Sequence, residues 1–223
     1  CFDAMNEFKA TYNKDADMVM LQNHGIFVAA DSLEEIDKLF LSVIEKIDDF
    51  AFMTLDGKHY LIAYLGNEAE VTLPASYKDS SYEIHAYAFF LSTTLKKVTI
   101  PEGVTAIGDY AFQYCIALTD VVLPEGLKSI GFASFGSCIA LEEIALPSSV
   151  ISIGRSAFAE CAALKSIVIP EGVTCIDNYT FNGCTALTSI TIPSTVTRIG
   201  LNAFQNCNAL SRVYISDIEA WCK

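Results

Sequence analysis

Apolar residues return at the same offsets every 23 residues from Leu95 onward. The unit LKKVTIPEGVTAIGDYAFQYCIA starts at Leu95, and LTDVVLPEGLKSIGFASFGSCIA follows at Leu118. LEEIALPSSVISIGRSAFAECAA, LKSIVIPEGVTCIDNYTFNGCTA and LTSITIPSTVTRIGLNAFQNCNA start at Leu141, Leu164 and Leu187. A partial sixth unit begins at Leu210. Leu95, Val98 and Ile100 set an L-x-x-V-x-I pattern. Val98 and Ile100 face one way and Thr99 the other, the period of two that marks a strand. Pro101 closes the strand and Gly103 helps the turn. Val104 and Ile107 return to the core, Gly108 permits a bend, and Ala111 and Phe112 sit on a tight helical or 3-10 turn.

One such unit cannot bury its apolar side alone, so the units must stack. Stacking at the spacing of neighbouring strands, about 4.7–4.9 Å, aligns Phe112, Phe135, Phe158, Phe181 and Phe204 in one aromatic column. Each buried Phe contributes roughly 1.5–3 kcal/mol. Five of the eight cysteines share the period: Cys115, Cys138, Cys161, Cys184 and Cys207. Their side chains run parallel, which disfavours bridging, and free Cys is among the most buried residue types. A column of reduced, buried thiols is expected. Cys1, Cys175 and Cys222 share no spacing. Asn178, Tyr179 and Thr180 spell a glycosylation sequon, but Thr180 takes the buried position of Ala111, so the match reads as accidental. His59 and His85 read as structural.

Upstream, residues 50–74 read FAFMTLDGKHYLIAYLGNEAEVTLP. Asp56-Gly57 and Gly66-Asn67 are two-residue hairpin signals between apolar runs. Val71, Leu73 and Pro74 match the strand of a degenerate repeat. Ile84, Ala88 and Phe89 match its return, with Ser92 in the Cys position. Four extra residues lie between Pro74 and Ile84, so a loop at residues 77–82 is expected to bulge outward, either as a binding feature or as the irregularity of a first repeat.

Residues 1–49 do not fit the repeat. Short strands are expected at 18–21 and 26–29. Ser32 and Glu35 then form a capping box. Leu33, Ile36, Leu39, Phe40, Val43, Ile44 and Ile47 follow at helical spacing, predicting an amphipathic helix.

Charge narrows the partners. The formal net charge is −13, and nucleic-acid binding calls for a basic stripe instead. Residues 1–56 hold 12 acidic and 4 basic residues, a net of −8, while residues 95–223 hold 11 and 8, a net of −3. The repeats therefore carry no strong field. Apolar residues make up 52% of the chain, enough for a sizeable core. No apolar stretch is long enough to span a bilayer. With no initiator Met and no signal peptide, the chain is expected to be a piece of a longer protein.

The I-P of Ile100-Pro101, the V-x-x-I-G of residues 104–108 and the A-F-x-x-C of residues 111–115 resemble the BspA-like leucine-rich repeats, also called the Treponema pallidum type. The resemblance covers roughly residues 50–223. It implies an α/β repeat: a right-handed leucine-rich-repeat solenoid with a parallel sheet on its concave face, entered through a β-hairpin. It also implies a secreted or cell-surface protein of host-associated microbes, with adhesion and protein binding as its role. The organisation is then a strand–helix segment at 1–49, a lead hairpin with a degenerate repeat at 50–94, and five repeats plus a partial sixth at 95–223. On the concave face, Lys97, Asp120, Glu143, Ser166, Ser189 and Arg212 form one row. Thr99, Val122, Ala145, Val168, Thr191 and Tyr214 form the next. Tyr214 is an aromatic anchor of the kind enriched in binding hot spots.

The run ADMVMLQNHGIFVAADSLEEIDKLF is similar to the C-terminal part of the class II aldolase/adducin family. That resemblance would make His24 a zinc ligand. The family's H-x-H pair is missing here, and one His cannot hold a catalytic zinc, which needs about three protein ligands. A front cap without activity or a fragment of an aldolase both fit. The expected function is a non-catalytic module with no cofactor and no metal that binds a protein or a glycan. A metal-dependent aldolase fragment and a structural spacer are the rivals.

Overall fold

The computed structural model describes residues 17–20, 27–30 and 44–216. Strand β1 (Asp17–Met20) pairs antiparallel with β2 (Phe27–Ala30), at the two segments expected to be strands. The expected helix from Leu33 falls largely outside the described residues. Its last four positions are strand β3 (Ile44–Ile47), which pairs antiparallel with β4 (Phe50–Leu55). Asp48 lies at φ 51° in the turn between them, and pairing with β4 satisfies the backbone there in place of helical bonds.

β4 turns through Asp56 and Gly57, at φ 50° and 75°, into β5 (Lys58–Tyr64), an antiparallel hairpin at the Asp-Gly signal. Positive φ at both central residues is the turn that fits the strand twist. Gly66-Asn67 makes no hairpin. β6 (Glu70–Thr72), which follows it, leaves β5 and pairs in parallel with a strand of the first repeat.

From here the chain coils, with two extended stretches per coil. β7 (Glu83–Ile84), β8 (Lys97–Thr99), β9 (Ala106–Ile107), β10 (Asp120–Val122), β11 (Ser129–Ile130) and β12 (Ser152–Ile153) come first. β13 (Ser166–Val168), β14 (Cys175–Ile176), β15 (Ser189–Ile192), β16 (Arg198–Ile199) and β17 (Arg212–Ile215) complete them. The first stretches form two parallel sheets, β6–β8–β10 and β13–β15–β17. The second stretches stack as β7–β9–β11–β12, continuous with β5, β4 and β3, and as β14–β16. Each parallel pair is in register at a separation of 23 residues, as in Val121 with Val98 and Ile190 with Ile167.

The single expected sheet is thus divided. Residues 141–146 carry no strand.

The returns hold no helix, so among the described residues the repeat is built of strands and turns, and the α/β expectation is corrected. The reason is visible in the backbone. Tyr110 and Tyr114 sit at φ 58° and 61°, the left-handed region that a right-handed helix cannot use. The amides of Ala111, Gln113 and Cys115 close tight turns onto Gly108, Tyr110 and Phe112. Those of Tyr110, Phe112 and Tyr114 donate across to Phe132, Ser134 and Gly136 in the next coil. Every second amide therefore ties one coil to its neighbour. Gly108 serves close approach rather than a bend, since a Cβ there would lie 2.5 Å from the Ala86 amide nitrogen of the preceding coil.

The interior holds the expected columns. Phe112, Phe135, Phe158, Phe181 and Phe204 stack with centroids 5.2–5.7 Å apart. Phe89 adds a sixth ring at 4.7 Å and Tyr64 of the hairpin a seventh at 5.3 Å. The loop at 77–82 exposes its tip, residues 78–81, but is pinned inward at both ends. Tyr77 and Tyr82 are both buried against Phe52, Tyr77 stacked at 4.5 Å and Tyr82 edge-on at 5.1 Å. Hairpin and loop together close the front of the core.

Candidate binding surface

Strand alternation decides which residues reach solvent. In β8, Val98 is buried while Lys97 and Thr99 are partly exposed, and β10 and β13 repeat the pattern. None of the twelve residues expected on this face is buried. Register places Lys97 beside Asp120, and Thr99 beside Val122. It places Ser189 between Ser166 and Arg212, and Thr191 between Val168 and Tyr214. Glu143 and Ala145 lie in the gap between the sheets, both exposed. Each row is longer by one residue, because β6 sets Glu70 beside Lys97 and Thr72 beside Thr99. The match of Val71 and Leu73 to the repeat was the signal that could have found them.

The charged row is partly self-neutralised. Lys97 Nζ lies 3.0 Å from Asp120 Oδ2, and that hydrogen bond, then the carboxylate's charge, raises the Lys97 pKa. Outside the rows, Lys165 pairs with Glu142. Val122, Val168 and Tyr214 stand exposed in the second row. The face is thus mixed, with small side chains and a few apolar ones.

The thiols have a defined task. Cys115 Sγ donates to the Phe89 carbonyl at 3.2 Å, and Cys138, Cys161, Cys184 and Cys207 do the same to Phe112, Phe135, Phe158 and Phe181 at 3.0–3.2 Å. Each thiol bonds the coil before its own. Burial pushes Cys115 and Cys161 up to about 12 and moves Cys138 and Cys184 upward as well. Such thiols are neutral and poor nucleophiles, since the thiolate is the reactive form. Cys207 and Cys175 are only partly buried.

His59 accepts or donates at Nδ1 to Thr54 Oγ1 at 2.8 Å, and His85 meets the Tyr60 ring edge-on. Thr180 is fully buried and its hydroxyl donates to the Asp177 carbonyl at 2.8 Å. Among the described residues no three His, Cys, Asp or Glu side chains converge as metal ligands; His24 lies outside them, as do Cys1 and Cys222. Among them, too, no helix is long and apolar enough to cross a membrane.

A family model of the BspA type leucine rich repeat region matches residues 82–211 in six copies. The chain belongs to this family. Among solved structures it is similar to the leucine rich repeat protein TpLRR of T. pallidum, with 28% identity and a TM-score of 0.74 over 77% of this chain and 83% of that one. It is similar to a leucine-rich repeat protein of Bacteroides ovatus at 29% identity and a TM-score of 0.59, over 76% of this chain and 52% of the other. The pneumococcal vaccine antigen PcpA shares the fold, with 23% identity, a TM-score of 0.54 and coverage of 78% and 49%. This chain thus spans about half the length of the last two proteins. No curated protein matches it. The family match leaves out residues 1–49, so the aldolase-like resemblance rests on sequence alone.

Proposed function

We propose that this BspA type repeat protein is a non-catalytic interaction module of adhesion type, secreted or held at the cell surface. It binds a protein or a glycan across the face of the first strand stretches, the concave side of a right-handed solenoid. The observation that carries this reading is the pair of in-register rows of unburied side chains, in which Val122, Val168 and Tyr214 remain exposed. Small residues between them let a partner approach the sheet, and Tyr214 supplies an aromatic anchor. Family membership supports the setting.

The test uses the triple variant Val122→Glu, Val168→Glu, Tyr214→Glu. These residues point away from the core, so folding should persist. The wild-type chain is expected to capture a component from extracellular-matrix proteins or a glycan array, and the variant to lose at least about tenfold in affinity. Undiminished binding by the folded variant would remove this face as the site.

A further inference from the structure

We propose that a cleft at the front of the solenoid, distinct from the two rows, binds one neutral sugar residue. The cleft is half-open to solvent, has a volume of about 270 Å³ and is lined chiefly by Lys58, His59, Ser80, Ser81, Glu83 and Thr105. It exists because of one irregularity. Pro74 and Ile84 are ten positions apart, where Pro101 and Ile107 are six apart, so this loop is four residues longer than its counterpart in the next repeat. The inserted loop turns back on itself through paired Tyr77 and Ser80 amides and carbonyls, each at 3.0 Å. Its tyrosines go into the core and its serines are left facing the hairpin turn and the Gly103 turn of the first repeat.

The lining fits a polyhydroxylated, uncharged ligand. It mixes donors and acceptors in a small volume, and the Lys58 and Glu83 charges offset each other. One Lys that shares the lining with a carboxylate is a poor anion site, and one carboxylate with one imidazole is too few ligands for a metal. Some coil hydroxyls elsewhere are spent on the preceding coil: Thr119 donates to Lys96, Ser149 to Leu127, Thr188 to Lys165 and Thr195 to Val173. In the cleft, among the described residues, the Ser80, Ser81 and Thr105 hydroxyls make no side-chain hydrogen bond, nor do the Lys58 ammonium and Glu83 carboxylate. The walls are already fixed. Tyr82 donates to the Pro74 carbonyl at 2.6 Å. The His59 ring is held by Thr54 and lies edge-on to Tyr77. A site ordered before binding loses less entropy when the ligand arrives.

Methyl glycosides of glucose, galactose, mannose and N-acetylglucosamine, titrated into isotope-labelled protein and followed by amide NMR, test the idea. At least one is expected to shift the Gly57, Ser80, Ser81 and Gly103 amides with a Kd of about 1 mM or below. Ser81→Leu, which fills the cleft, should weaken that binding at least about tenfold, and Thr105→Val serves if the first variant melts early. The Val122→Glu, Val168→Glu, Tyr214→Glu variant should bind the glycoside as wild type does, which separates this site from the sheet face. Absence of shifts at those amides with all four glycosides at about 50 mM, far above a millimolar Kd, would overturn the proposal. So would binding unchanged in a folded Ser81→Leu or Thr105→Val variant.

Discussion

The middle coils and the last described coil use the same residues to different effect. Ile167 is 3% exposed, while Val213, at the same repeat position, is 50% exposed. Ile176 is 1% exposed and its equivalent Ile199 is 40% exposed. Cys184 is buried and Cys207 only partly so. The side chains are alike; what differs is how much of a following coil the described residues supply. Burial in this fold is delivered by a neighbour, as expected where each repeat touches only adjacent ones. The front end shows that the neighbour need not be a repeat. There Tyr64 takes the next place in the Phe column, and Phe52 packs on Tyr77 and Tyr82.

The sharpest way to break this comparison is to truncate equivalent rings. Phe158→Ala should cost about 3–5 kcal/mol, the usual range for a core Phe. Phe204 is only partly buried, so Phe204→Ala should cost about 1–2 kcal/mol, in line with its smaller buried area. Urea denaturation of both variants measures the difference, and equal losses would mean that the following coil contributes nothing.

The thiols sharpen the same contrast. In native protein, Cys115, Cys138, Cys161 and Cys184 should resist alkylation while Cys175 and Cys207 react; all should react in urea. Rapid native labelling of the four buried thiols would contradict the packing. Their raised pKa values also set a pH dependence. Above about pH 8.5, the ordinary Cys value, the unfolded chain loses thiol protons that the folded chain retains. Stability is therefore intact below that pH and falls as pH climbs toward the folded values near 12. Each withheld proton contributes a slope of about 1.4 kcal/mol per pH unit. Cys161→Ala should make the alkaline slope shallower by about one proton, and Cys207→Ala by less. Parallel profiles for wild type and Cys161→Ala would rule out the thiol as its source.

The smallest expected effect is a gain. Ser134 is fully buried and its hydroxyl has no hydrogen-bond partner among the described residues. Ala occupies the equivalent place at Ala111 and Ala157. Ser134→Ala should stabilise the fold by about 1 kcal/mol by removing an unsatisfied buried group. A lower melting temperature would show that the hydroxyl is satisfied after all.

The repeat register, the Phe column, the Cys ladder and the two surface rows were legible in the residues. Stacking maps each position onto the one 23 residues later, so a one-dimensional period carries the three-dimensional contact. The hairpin at Asp56-Gly57 was equally local, because two residues with positive φ suffice to make it. What the period could not carry came from groups that meet off the 23-residue step or at the ends. The thiol's acceptor is a carbonyl 26 residues away, a backbone group that leaves no mark on residue choice. The return became turns rather than helix because its amides found partners in the next coil. Gly66-Asn67 made no hairpin because β6 had a better partner in β8. The two ends of the loop at 77–82 turned inward because the open front of the core offered Tyr77 and Tyr82 more burial than solvent did. Sequence alone determined the unit and its stacking partner. Only the tertiary structure decided which backbone groups joined across coils and which side chains closed the ends, since both depend on contacts that exist only once the coils are stacked.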